Sequence, residues 1–208
     1  MSEEKVLTKG IAEQFLAFRP VDLIEFTEIK DAAAESLSKS KRSLRLNGLT
    51  QLSDAAAESL SKHQGSLELN GLTELSDAAA ESLSKLQNEE LHLSCLTELS
   101  DAAAESLSKF QGCLVLRGLT ELSDAAAESL SKHQGDLVLD GLTWLSDAAA
   151  ESLSKYEGVL WLNGLTYLSA SAAESLANKY PKFSSRHINL YNLPASVAKI
   201  LRSHMHRL

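Results

Sequence analysis

Cysteine, proline and aromatic side chains are all scarce here, and each shortage closes a class of protein. Two cysteines in 208 residues cannot staple a small secreted scaffold. Three prolines and no Pro/Gly/Ser-rich stretch leave no linker at which the chain would divide into domains. Apolar runs are only a few residues long, so no membrane span is expected. The N-terminal Met-Ser-Glu-Glu-Lys lacks the basic-then-apolar order of a secretory signal, which points to the cytoplasm and leaves open secretion by a route that reads no such signal. Bases are outnumbered too. With 20 Lys and Arg against 28 Asp and Glu, the net charge of −8 disfavours nucleic acid over most of the surface.

What the chain has in abundance is itself. Asp-Ala-Ala-Ala-Glu-Ser-Leu-Ser-Lys occurs six times, from Asp31, Asp54, Asp77, Asp101, Asp124 and Asp147, and a degenerate seventh copy runs from Ala170 to Asn178. The spacing is 23 residues, except for one step of 24 between Asp77 and Asp101. Such a period means stacked supersecondary units, and ankyrin or tetratricopeptide arrays, at ~33–34 residues, are excluded.

Within a unit, Leu67-Glu68-Leu69 alternates as a short strand should, with counterparts at Leu44/Leu46, Leu91/Leu93, Leu114/Leu116, Leu137/Leu139 and Leu160/Leu162. Val21/Leu23 and Ile188/Leu190 add a strand at each end, giving eight. A Gly-Leu-Thr-x-Leu-Ser turn follows each strand, then the alanine-rich helix. Ser76 and Asp77 suit the helix start, where a hydroxyl or carboxylate accepts free amides and negative charge meets the positive helix end. Gly65, Gly112, Gly135 and Gly158 follow their helices, where a left-handed residue is expected. A helix of about 10 residues is below the ~12–15 that would be marginally stable alone, so stacking must hold it. Leu67, Leu69, Leu72, Leu75 and Leu83 point inward, while Ala78, Ala79 and Ala80 allow close approach. Strands pair ~4.8 Å apart and helices pack ~8–10 Å apart, so the helix side fans outward and the parallel sheet becomes the concave face. Cys95 and Cys113 would be offset by about five residues, roughly 15 Å along neighbouring strands, too far for a disulfide; free thiols fit a reducing compartment.

The pattern LxLxGLTxLSDAAAESLSKxxG, over roughly Val21 to Asn178, resembles the leucine-rich repeat family, most nearly its short, alanine-rich bacterial members. Two features depart from that family. Gln64 and Gln134 stand at the usual first leucine, and Leu72, Leu119 and Leu142 replace the buried asparagine whose ladder would satisfy the turn backbone. The resemblance implies an α/β solenoid, a horseshoe with a short parallel sheet on the concave face and short helices on the convex face, binding a protein or peptide on the concave side. Three segments follow: a helical N-terminal cap over 1–20, about seven repeats over 21–180, and a strand-and-helix cap over 181–208. A parallel β-helix is the alternative fold, against which the alanine-rich helix formers argue.

Among near-identical repeats the variable columns carry the information. The mid-strand column reads Asp22, Arg45, Glu68, His92, Val115, Val138, Trp161, Asn189, so charge gives way to apolar surface. The turn column reads Gln51, Glu74, Glu98, Glu121, Trp144, Tyr167. Exposed aromatics Trp161, Trp144 and Tyr167 beside Val115, Val138 and Val159, rimmed by Arg117, Asp140 and Asn163, have the composition of a binding hot spot. The competing reading packs Trp144 and Tyr167 against the C-terminal segment as part of a cap, since terminal repeats are atypical.

That last segment is basic. No acid follows Glu174, whereas Lys179, Lys182, Arg186, Lys199, Arg202 and Arg207 do. A helix from about Pro194 to His206 gathers Val197, Ile200, Leu201 and Met205 on one face, as a cap would, with a membrane or nucleic-acid contact as the lesser alternative. Catalysis has little support: there is no Gly-x-Ser-x-Gly elbow and no phosphate-cradling loop. His63 and His133 lie three repeats, more than ~14 Å, apart, too far to share a metal. His204 with His206, and His92 near Glu90 and Cys95, are weak clusters. The expected molecule is a monomeric, non-enzymatic scaffold for a protein partner, without cofactor or metal and contacting neither nucleic acid nor membrane. Self-assembly through the terminal repeats and caps is the alternative.

Overall fold

From the second repeat helix onward, a serine at the N-cap ties each repeat helix both to itself and, through an aspartate, to the repeat before it. In the computed structural model, which describes residues 5–179 and 187–205, the repeat helices are α2 (Asp31–Ser38), α3 (Asp54–Leu60), α4 (Asp77–Leu83), α5 (Asp101–Leu107), α6 (Asp124–Leu130) and α7 (Asp147–Leu153). Helix α1 (Lys9–Leu16) precedes them, and α8 (Ala170–Lys179) and α9 (Ala195–Met205) follow. The Oγ of Ser53, Ser76, Ser100, Ser123, Ser146 and Ser169 accepts the amide three residues on at 2.9–3.0 Å. Each hydroxyl also donates to the first-turn aspartate one repeat earlier, from Ser53–Asp31 through Ser169–Asp147. A cap of this kind stabilises a helix by ~1 kcal/mol. The interior helices need it, because they are seven residues long and shorter than the sequence suggests.

Stacking supplies the remainder. The second and third alanines of each motif, such as Ala79 and Ala80, are fully buried, whereas the first, such as Ala78, is exposed, so only two of the three expected to allow close approach lie against the core. Each buried leucine of the repeat adds ~2 kcal/mol of transfer free energy, and Leu67, Leu69, Leu72 and Leu83 are all in the core. On the outer helix face, Glu–Lys pairs at i,i+4 recur from Glu35–Lys39 to Glu151–Lys155 at 3.0–3.4 Å.

The short strands β3 (Leu44–Arg45), β4 (Leu67–Glu68), β5 (Glu90–His92), β6 (Cys113–Val115), β7 (Leu137–Val138) and β8 (Leu160–Trp161) pair in parallel with the repeat register, for example Leu114 with Leu137. The terminal strands expected at Val21/Leu23 and Ile188/Leu190 are absent. Leu23–Glu25 is a 3₁₀ turn capped by Asp22, and the Leu162 amide instead donates to the His187 carbonyl at 2.6 Å. An unforeseen parallel pair, β1 (Val6–Leu7) with β2 (Glu28–Ile29), forms on the turn side of the stack, in the column that ends in the Trp144–Tyr167 bridge. Threonines extend that column: the amides of Thr50, Thr73, Thr143 and Thr166 each donate to the preceding threonine carbonyl at 2.9–3.2 Å. This threonine ladder satisfies the turn backbone that an asparagine ladder would otherwise serve.

The helix-terminating glycines do not adopt the expected left-handed conformation; no glycine among the described residues has positive φ. They are needed for space. A Cβ on Gly135 would lie 1.9 Å from the Gly112 carbonyl oxygen, and one on Gly158 2.4 Å from that of Gly135. Where this column has Asn88-Glu89 instead of one glycine, the chain carries its extra residue, and the sheet divides into β3-β4 and β5-β6-β7-β8. A cleft of ≈ 560 Å³ opens there, lined by Glu68, Asn70, Asn88, Glu90 and His92 among others. Asn70 Oδ1 and Asn88 Nδ2 are buried without a hydrogen-bond partner among the described residues.

The far ends are closed by apolar side chains. Ile188, Leu190, Leu193, Val197, Ala198 and Leu201 are buried against the last repeats, with Ile200 partly so. No described helix is long and apolar enough to cross a membrane.

Candidate partner-binding surface

The structure separates the predicted cluster into two faces. Val115, Val138 and Trp161 follow one another on adjacent strands, Val115 beside Val138 and Val138 beside Trp161. Trp144 and Tyr167 form a parallel bridge of their own, beyond the turns at Gly141 and Gly164.

On the strand face, the expectation of an apolar surface at Val115 and Val138 is overturned, for they are only 2% and 6% exposed. Strands one rung apart place taller neighbours on either side of these short side chains: His92 before them and Trp161 after. Trp161 is itself partly buried, edge-on to His187 with ring centroids 4.7 Å apart. The polar rim also engages itself. Arg117 Nε lies 3.8 Å from Asp140 Oδ2, and Asp140 Oδ1 accepts both the backbone amide and the side-chain amide of Asn163 at 3.0 Å. Val159, just before β8, remains 39% exposed. Sequence reasoning overlooked Tyr191, which is 93% exposed two residues after Asn189 of the mid-strand column.

On the turn face, Trp144 is 44% and Tyr167 58% exposed. They are not packed away as a cap within the described residues, and nothing in the repeat core requires them, because Gln51, Glu74, Glu98 and Glu121 occupy the same column and are exposed as well. Among the described residues, with Val159 and Tyr191 they account for four of the five exposed large hydrophobic residues, the fifth being Phe18 at the opposite end.

The histidines flagged by repetition belong to a buried column, Ser40, His63, Leu86, Phe110, His133, Tyr156. His133 stacks between Phe110 and Tyr156, with centroids 6.5 and 6.4 Å away, and Tyr156 donates its hydroxyl to the Gly135 carbonyl. His92 Nε2 meets Glu90 Oε2 at 2.7 Å, while Cys95 is exposed on the turn. The Cys113 thiol is pushed up by burial and by the neighbouring Asp136 and Glu90 carboxylates, which makes a thiolate harder to form. The side chain of His204 and all of His206 lie outside the described residues.

The class these features define is an α/β repeat solenoid, with Trp144, Tyr167 and Tyr191 exposed toward its C-terminal end. No protein-family profile and no curated protein matches the chain.

Proposed function

We propose that this chain is a non-enzymatic scaffold of the leucine-rich-repeat kind, a horseshoe that binds a protein partner through its C-terminal repeats. The observation that supports this most is the exposure of Trp144 and Tyr167 in a column that is otherwise hydrophilic. Two large side chains left in water, where the fold accepts glutamate at the same place, have the composition of interface anchors. Trp161, Val159 and Tyr191 extend the surface toward the strand face, with Arg117, Asp140 and Asn163 as its polar rim. Val115 and Val138 support that face from beneath.

The proposal is tested by capturing the partner from the source cells, identifying it and measuring its affinity for purified variants. Trp144→Ala/Tyr167→Ala should keep the wild-type fold and lose about 30-fold or more in affinity, the size expected of central anchors. Phe18→Ala, at the other end, should change nothing. Unaltered affinity in the folded double variant overturns the proposed site. Phe18 and Tyr191, exposed at opposite ends, favour a second reading in which copies associate through their caps; a mass that rises with concentration and falls on Phe18→Ser/Tyr191→Ser would support it.

A further inference from the structure

The carboxylates on the two long faces are treated differently. Along the helices, Glu35, Glu58, Glu81, Glu105, Glu128 and Glu151 each meet their own lysine, while the first-turn aspartates from Asp31 to Asp147 are held by a serine hydroxyl of the next repeat. Along the turn face, Glu74, Glu98 and Glu121 occupy successive repeats and are exposed, and no cation among the described residues pairs with them. Like charges brought to the same place in successive repeats repel one another. The next two places in the row are Trp144 and Tyr167, joined to the preceding rungs through the threonine ladder, Thr143 to Thr120 at 3.2 Å and Thr166 to Thr143 at 2.9 Å.

The N-terminal end shows how this fold treats an aromatic pair when it supplies the cation itself. The Arg42 guanidinium lies 4.0 Å over the Phe15 ring and 4.9 Å from the Phe18 ring centre. Trp144 and Tyr167 have no such cation among the described residues. Tryptophan and tyrosine are the better cation–π faces, and arginine the more frequent partner. An unpaired acidic row running into two uncovered aromatic rings calls for a ligand bearing several positive charges, some able to stack.

Deepening the scaffold reading, on which it rests, we infer that the turn-face row Glu74–Glu98–Glu121–Trp144–Tyr167 is the docking surface for an arginine-rich extended segment of a partner protein. Guanidinium groups would stack on Trp144 and Tyr167 and pair with the glutamates, and the two rings would distinguish this row from the other carboxylates of the stack. Electrostatic attraction of this kind chiefly raises the association rate and weakens with salt.

The test uses three fluorescein-labelled synthetic decapeptides, one alternating Arg with Ser, one alternating Glu with Ser, and one alternating Phe with Ser, read by anisotropy on the full chain. The arginine peptide should bind most tightly and weaken about tenfold or more between ~50 and ~200 mM salt. Both Glu98→Gln/Glu121→Gln and Trp144→Ala/Tyr167→Ala should weaken it about tenfold, whereas Glu13→Gln/Glu157→Gln, which removes the same charge elsewhere, should not. Equal loss in that control would show attraction to net charge alone and overturn the inference, as would tighter binding of the phenylalanine peptide. Circular dichroism of each variant guards against misfolding. A captured partner that depends on Trp144 and Tyr167 but not on the glutamates would sink the arginine-rich ligand and leave the scaffold reading standing. If wild type self-associates, glutamine variants do not, and the arginine peptide fails to bind, the occupant is a second copy and the inference fails.

Discussion

Gly135 stands directly against Gly112 of the preceding repeat, so close that a Cβ on Gly135 would lie 1.9 Å from the Gly112 carbonyl oxygen. The obstacle is backbone belonging to the next rung, and neither chain can move without shifting a whole repeat. Gly135→Ala should therefore cost about 2 kcal/mol or more, in the range of core overpacking. Gly10 in α1 has nothing within 4 Å of its Cβ position, and Gly10→Ala should stabilise by up to ~1 kcal/mol through helix propensity. Urea unfolding of both variants tests the contrast; equal effects would remove close approach as the reason for the glycine column.

The extra residue at Asn88-Glu89 interrupts this column, and the sheet with it. Deleting Asn88 and replacing Glu89→Gly restores the 23-residue step and should join β4 to β5. Each regained backbone hydrogen bond is worth ~0.5–1.5 kcal/mol, and the orphaned Asn88 Nδ2 disappears with its residue. The Leu69 amide should then exchange more slowly with solvent, and the thermal midpoint should rise by a few degrees, at ~2–4 °C per kcal/mol. Unchanged exchange at Leu69 would mean that the divided sheet has another cause.

His63 gives the stack a dependence on acid. Both ring nitrogens are buried without a hydrogen-bond partner in the described structure, and desolvation holds the imidazole below its usual 6.5. Between that lowered value and 6.5 the unfolded chain binds a proton that the native chain does not. Stability therefore falls as pH drops through 6.5 and levels off below the native value. Leucine already serves in this column at Leu86, so His63→Leu should fold and should lose less stability than wild type between about pH 7.5 and about pH 5.5. Parallel curves for the two proteins would acquit His63.

How much of this was legible beforehand depends on the kind of interaction. Strand leucines such as Leu67 and Leu69 and helix caps such as Ser76 are local, periodic signals, and the structure follows them. The Ser–Asp and threonine ladders join residues 22 or 23 apart. Repetition marks those positions without saying which atoms meet. Glycine was misread because a residue without a Cβ serves a left-handed turn and a close approach equally well, and only the neighbouring repeat decides between them. Val115 and Val138 were misjudged for a related reason: exposure on a strand is set by the height of the flanking side chains, here His92 and Trp161. Trp144 and Tyr167 stood out as departures from a hydrophilic column, but the turn separating them from Trp161 is a feature of the folded stack.

The C-terminal segment is predicted to be indispensable. Ile188, Leu193, Val197 and Leu201 are buried against the last repeats, and the His187 carbonyl accepts the Leu162 amide at the end of β8. Asn192 reaches back from the same segment to the Asn163 carbonyl at 3.4 Å. A chain ended at Lys179 would leave Leu160, Leu162, Leu165 and Leu176 facing water on one side, at ~25 cal/mol per Å² of apolar surface, together with an open strand edge. Repeat stacks depend on a terminal unit with a polar outer face for solubility. The truncated chain should bind a hydrophobic dye and elute as aggregates or end-to-end multimers, with a broadened and lowered thermal transition. A soluble truncated monomer with the wild-type midpoint would show that the last repeat closes itself, and attention would then move to Lys199 and Arg202 on the outer side of α9.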